Sequence, residues 1–267
     1  MKLRRLDAEL VHRQLAHSRQ GARQLIEKNI VLVNGIVCSK PTRQVNENDS
    51  ITLSSAEKNW VSRGSLKLLS FLEAYPELEA KFQDAIVLDV GASTGGFSQV
   101  ALQWAQKVIA VDVGYGQLAW TLRQDPKIQV IERTHINDLH LDDIESPVDI
   151  VLADVSFISL LSVIVSLKRL SKEDSTWILM VKPQFEVGKQ DIGKGVVTNP
   201  SLHFNSVEKV VLACQDIGWG LKGVAASGLK GPKGNQEFFI WLEGHAPIKD
   251  RLVIQREISR VTKGLPE

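Results

Sequence analysis

The chain of 267 residues has only two cysteines, Cys38 and Cys214, far apart and outside any C-x-x-C pattern. That excludes a disulfide framework and a cysteine zinc site, and no metal is expected. Long apolar runs are also missing. The longest apolar-rich stretch, residues 157–167, spans eleven positions and reads as a core helix, whereas a membrane-spanning helix needs about twenty. The first twenty residues carry Lys2, Arg4, Arg5, Asp7, Glu9, Arg13 and Arg19 and no apolar core of a signal peptide, so a cytoplasmic protein with no membrane partner is expected. There is no internal repeat, no Gly-Lys-Ser/Thr phosphate loop and no G-x-G-x-x-G dinucleotide fingerprint. What is present, 43% hydrophobic and 24% charged residues, describes a globular chain long enough for one large domain, or one medium and one small.

The stretch that organises the rest is 86–98, IVLDVGASTGGFS. Ile86, Val87 and Leu88 read as a strand with no polar face, as at the centre of a parallel sheet. Asp89 closes it, and Gly91, Gly95 and Gly96 set a tight turn before an apolar helix. Such a turn aims free backbone N–H groups at a ligand. The next apolar strand, 107–113, ends near Asp112, 23 residues after Asp89. That is where a doubly wound fold grips ribose hydroxyls. A glycine loop of this spacing with no adjacent cation suits a nucleoside ligand without phosphates. S-adenosyl-L-methionine fits that description, and an ordinary strand–turn–helix corner is the alternative.

The net charge of +1 conceals an asymmetry. Residues 1–60 hold ten Lys/Arg against six Asp/Glu, a local charge of +4, which leaves −3 for the remainder. A basic small segment on a slightly acidic body suggests a docking module for nucleic acid. Its periodicity predicts a helix over 3–16, then one over 19–28 capped by Ser18. A hairpin through Asn34-Gly35 and a strand near 50–53 follow. This order of residues resembles the αL RNA-binding motif named after a small-subunit ribosomal protein. The resemblance implies that Arg4, Arg19, Arg23 and Lys28 contact RNA phosphates; a small dimerisation unit is the alternative.

The expected domains are 1–58, a linker at 59–62, and 63–267. After a helix over 63–74, strands and helices alternate: strands at 128–131, 148–153 and 177–182, helices near 118–123, 159–170 and 202–217. Two closing strands, 222–227 and 237–242, and a charged helix, 248–263, complete the series. Alternation of this kind implies a mostly parallel sheet covered on both faces, an α/β fold of Rossmann type. Asp154, Lys182 and Glu237 fall where apolar strands end or begin, so they should face the ligand crevice. A lysine there requires a carboxylate partner, and such pairs serve structure as readily as chemistry.

Five segments, DVGASTGGF, ADVGYGQLAW, ADVSFISL, VKPQFEVG and GNQEFFIWL, stand in that order behind the basic module. The whole chain resembles the haemolysin-A-named TlyA family of ribosomal RNA 2′-O-methyltransferases with an FtsJ-like catalytic domain. The resemblance implies a seven-stranded methyltransferase sheet and transfer of methyl from S-adenosyl-L-methionine to cytidine ribose. The partner is ribosomal RNA within ribosomal subunits, of both kinds, and the enzyme a monomer. It places a catalytic tetrad on Lys67, Asp154, Lys182 and Glu237, with Lys182 nearest the 2′-oxygen and Lys67 beside it loosening its proton by like-charge repulsion. It assigns Asp89, Gly91, Ser93, Gly95 and Gly96 to the methionine end of the cofactor, Asp112 to its ribose and Asp138 to the region of the adenine. Arg63, Lys189 and Lys194 become phosphate contacts, a solvated surface charge being the alternative for each. The family's Arg-x-Trp-Val linker is here Lys58-Asn59-Trp60-Val61, which puts a planar guanidinium role at position 58 in doubt. A membrane-active cytolysin and a ribosome-assembly factor without chemistry are the competing classes.

Overall fold

The computed structural model describes residues 3–13, 15–16, 18–27, 31–34, 36–53, 60–193, 195–231 and 233–262, with backbone only for Ile36, Val37 and Lys189. The chain divides into two units, residues 1–59 and 60–267.

In the first unit β1 (Arg4–Arg5) runs straight into α1 (Leu6–His12), followed by α2 (Arg19–Glu27), β2 (Val31–Val33), β3 (Ile36–Val37), β4 (Gln44–Val45) and β5 (Ile51–Leu53). The apolar stripe of α1 (Leu6, Leu10) meets that of α2 (Ala22, Ile26) over Val31, Val33, Val45 and Ile51. Ser18 Oγ accepts from the Gly21 N–H at 3.0 Å, capping α2 as its position predicts. The first helix is shorter than its apolar periodicity suggests. Arg4 and Arg5 are extended because they pair antiparallel with Val45 and Gln44, a ladder too short and polar to announce itself.

The second unit opens with α3 (Arg63–Ala74) and α4 (Glu77–Phe82). It continues through β6 (Ile86–Val90), α5 (Gly96–Ala101), β7 (Lys107–Asp112), α6 (Trp120–Arg123), β8 (Ile128–Glu132), β9 (Val148–Ala153), α7 (Ile164–Leu170) and β10 (Ser171–Val181). It closes with α8 (Pro183–Glu186), α9 (Pro200–Asp216), β11 (Trp219–Ala226), β12 (Phe238–Gly244) and α10 (Arg251–Thr262). The seven strands form one sheet in the order β11-β12-β10-β9-β6-β7-β8. All neighbours are parallel except β12, which runs against both β10 and β11. Strand alternation fills both faces. Val87, Ile150, Leu152, Ile178, Met180 and Phe239 face α3, α4 and α5. Leu88, Val90, Val151, Ala153, Leu179 and Ile240 face α7, α9 and α10.

Residues 60–62, read as linker from sequence, pack on this unit; the Val61 N–H donates to Gln99 Oε1 at 2.8 Å. Residues 157–167 are not the single core helix that their composition suggests. A 3₁₀ turn (Leu160–Ser162) precedes α7, and Phe157 stands 88% exposed. Among the described residues no helix is long and apolar enough to cross a membrane.

Candidate active site

The order of strands reverses at β6, between β9 and β7, and the crevice beyond their carboxyl ends is where ligands enter such sheets. Gly91 follows β6 with φ +79°, and a Cβ there would sit 2.9 Å from the Asp154 carbonyl oxygen. Glycine is required by both the backbone and the close approach. Gly95 (φ +96°) is held for a different reason, since a side chain there would strike Leu118 and Leu122. Gly96 permits α5 to lie against residues 62–65 of α3 and its cap. The loop is tied to the next strand by Asp112, whose Oδ2 accepts from the Ser93 N–H and Oδ1 from the Gly114 N–H, both at 2.7 Å.

Lys67, Asp154, Lys182 and Glu237 converge from four elements as two ion pairs. Lys67 Nζ is 2.5 Å from Glu237 Oε2, and Lys182 Nζ is 2.6 Å from Asp154 Oδ1. Both lysine side chains are about nine-tenths buried, at 10% and 8% exposure. The strand register explains the meeting. Val181 pairs with Phe238, so the residue after β10 and the residue before the antiparallel β12 share one edge of the sheet. Lys67 arrives on the inner face of α3 beside Leu68 and Phe71, and its Nζ also donates to Met180 Sδ at 3.9 Å. Lys182 also donates to Ser156 Oγ at 2.7 Å.

Burial pushes the Asp154 carboxyl above its ordinary range, against the opposing pull of Lys182. Asp89 is also raised, to about 7, because desolvation outweighs its hydrogen bond from Ser98 Oγ (2.6 Å).

Three cavities open here and share Gly91, Ser93 and Asp154. One of about 310 Å³ is bounded by Arg63, Lys67, Asp89, Gly96 and Lys230. A second, of about 290 Å³, lies against Asp112, Gln117, His135, Ile136 and Phe157. The third, of about 510 Å³, is lined by Lys67, Asp154, Lys182 and Glu237 together with Gln184, Phe185 and Lys233.

An FtsJ-like methyltransferase family model matches residues 60–244, and an S4 domain model matches residues 4–51. The chain belongs to the FtsJ-like methyltransferases. It is 47% identical over 241 residues to the 16S/23S rRNA (cytidine-2′-O)-methyltransferase TlyA of Mycobacterium tuberculosis, covering 89% of each chain. It is 36% identical to the 23S rRNA (cytidine-2′-O)-methyltransferase TlyA of Campylobacter jejuni, covering 86% of this chain and 96% of that one. A solved structure from Streptococcus thermophilus that bears a hemolysin name superposes with TM-score 0.71 at 33% identity, over 98% of this chain and 97% of that chain.

The methyl donor of this methyltransferase is S-adenosyl-L-methionine, and the crevice suits it. Asp89 Oδ1 is buried with no hydrogen-bond partner. It faces a cavity where a cationic ammonium would satisfy it. The neighbouring cavity offers the Asp112 carboxylate beside apolar Val111, Ile136 and Val155, a match for a ribose and a flat base. Asp138 is exposed in a 3₁₀ turn and is not among the residues lining that cavity, where His135 and Ile136 stand instead. Among the described residues no group of His, Cys, Asp or Glu is arranged to hold a metal ion.

The RNA-contact expectations divide. Arg63 lines the first cavity and donates to the Lys230 carbonyl at 3.3 Å. Arg4 pairs with Glu9 and Arg23 with Asp7, while Arg19 is exposed. Lys28, Lys58 and Lys194 lie outside the described residues, as does the side chain of Lys189. Sequence reasoning missed Ser156, Phe157 and Gln184. Each lies two or three positions past Asp154 or Lys182, and that offset from a strand end was the available signal.

Proposed function

We propose that the protein transfers the methyl group of S-adenosyl-L-methionine to the 2′-oxygen of a cytidine ribose in ribosomal RNA. The observation that carries this reading is the pairing of two buried lysines with a buried carboxylate, Glu237, and a partly buried one, Asp154, where the cofactor cavities meet the 510 Å³ cavity. A ribose hydroxyl is a weak acid and a poor nucleophile. It needs a group that holds or accepts its proton and a positive field for the charge that develops. The donor supplies an electrophilic methyl on a sulfonium. Lys182, fixed by Asp154 and Ser156, is the group nearest the oxygen. Lys67, held by Glu237, sets the field and the position. The remaining requirement is alignment of oxygen with methyl, which a rigid sheet edge provides.

The exposed ring of Phe157, whose backbone is held at φ +67°, offers a base a stacking face at the cavity mouth. Arg4, Arg19, Arg23 and Lys28 of the S4 unit, with Arg63 and Lys189, are assigned to phosphate contacts, which position RNA without reading it. Both ribosomal subunits are substrates on this reading. The support is the greater identity to the relative named for 16S and 23S rRNA than to the one named for 23S alone. A cytoplasmic site of action and a monomeric enzyme complete it.

The test is transfer of labelled methyl to ribosomal subunits from a strain lacking this gene, with Lys182→Ala in parallel. The expected result is label in RNA at one alkali-resistant ribose per subunit, reduced about a thousandfold in the variant. Absence of label with protein that binds the cofactor would refute the reading. Label on large subunits alone would remove only the claim for both.

A further inference from the structure

In the 510 Å³ cavity, Gln184 presents a side chain with nothing to do. Its Oε1 is buried and has no hydrogen-bond partner, a costly state for an amide oxygen. The other uncharged polar side chains that line the cavity are engaged. Ser93 Oγ donates to Gln117 Oε1, and Ser156 accepts from Lys182. Asn235 is consumed by the chain itself: its Oδ1 accepts from the Val197 N–H and its Nδ2 donates to the Gly195 carbonyl, each at 2.9 Å. Gln184 lies in α8, two residues beyond Lys182, which caps that helix. The free amide and the ammonium assigned to the 2′-oxygen therefore open into one space, walled by Phe157, Phe185 and Ile192.

We propose that Gln184 reads the base of the nucleotide being methylated. The inference rests on the cytidine reading above. The pairing edge of cytosine sets an amino donor beside a ring-nitrogen acceptor. A carboxamide answers with an oxygen acceptor and an N–H donor in the same plane, the two-bond arrangement by which Gln and Asn read adenine. The orphaned oxygen takes the N4 amino group, and the amide N–H donates to N3. Uracil carries an acceptor and a donor in the reverse order, which the amide in this orientation does not match. A mismatch is costly because it leaves the buried Gln184 oxygen without a partner.

The experiment compares methyl transfer to ribosomal subunits carrying cytidine or uridine at the modified position. It uses the wild-type protein, Gln184→Met, which keeps the volume without the amide, and Gln184→Glu, which keeps an acceptor without the donor. Calorimetric titration with S-adenosyl-L-methionine establishes that each variant is folded. Gln184→Met is expected to lose about tenfold to a hundredfold in rate on cytidine and most of the cytidine-over-uridine preference, with cofactor affinity unchanged. Gln184→Glu is expected to lose rate on cytidine as well, because its ionised carboxylate repels N3. Wild-type discrimination in Gln184→Met overturns the assignment to Gln184 alone. A wild-type protein that labels no ribose in either substrate overturns the underlying reading and this inference together.

Discussion

The two units each bury acids against bases, with opposite results. In the S4 unit Asp7 is fully buried and Glu9 nearly so. Asp7 accepts two hydrogen bonds from Arg5 and one from Arg23, while Glu9 pairs with Arg4 and Arg13. These guanidiniums hold the Asp7 carboxyl down at about 2 and Glu9 below its ordinary range. In the methyltransferase unit Asp154 has one lysine and Asp89 one hydroxyl, and burial pushes both upward. The difference lies in how many donors each acid receives. Planar forks at a unit's rim supply several bonds without losing their own hydration. A buried ammonium supplies fewer and shares the desolvation. The first arrangement fixes a fold; the second leaves groups whose protons can move.

Breaking the pairs should expose that contrast. Glu237→Ala removes the partner of a nearly buried Lys67 and is expected to lower methyl transfer by about 10²–10⁴-fold, with cofactor binding retained in a calorimetric titration. Near-normal turnover would reclassify this pair as structural. Asp7→Ala leaves its solvated arginines without their acid and should cost about 1–2 kcal/mol. The loss should be read as faster hydrogen exchange across residues 4–53, with the thermal unfolding of the second unit unchanged.

Acid sharpens the comparison more gently. The depressed Asp7 carboxyl makes the unfolded chain the better proton binder between pH 3.8 and about 2. Its stabilisation, on the order of 1–2 kcal/mol, is therefore full above that window and lost as pH falls through it. Urea unfolding of the first unit at a series of acid pH values checks this. Asp89 has the opposite sign. Its raised carboxyl keeps a proton in the native state between 3.8 and about 7, so its contribution to stability declines as pH rises across that range. Only the ionised form answers a cationic ligand. Cofactor affinity should thus improve about tenfold from pH 6 to pH 8, and Asp89→Asn should flatten the profile.

Much of this was legible in the chain. The glycine loop, Asp112 and the charges after Val148–Ala153 and Ser171–Val181 follow from where apolar runs stop, since strand ends define the crevice. Lys67 was not placeable by periodicity, because its leucine neighbours fit a solvated lysine as well as a buried one; its burial depends on Glu237 arriving from another strand. Phe157 was assigned to the core by composition, yet it stands in solvent with left-handed backbone. The short polar pairing of Arg4–Arg5 with Gln44–Val45 and the helix Glu77–Phe82 carry too little pattern to be read locally. Gln184 could be singled out only once its neighbours' hydrogen bonds were known.

The reversed direction of β12 has a consequence in time. Lys67 and Glu237 meet across 170 residues of sequence, and Glu237 enters on the strand at the far end of the chain's β-series. A ribosome making this protein releases the glycine loop, Asp154 and Lys182 well before it releases the residue that neutralises Lys67. The Lys67–Glu237 pair is thus the last of the two to be assembled, complete only when the final strand has emerged and turned back into the sheet.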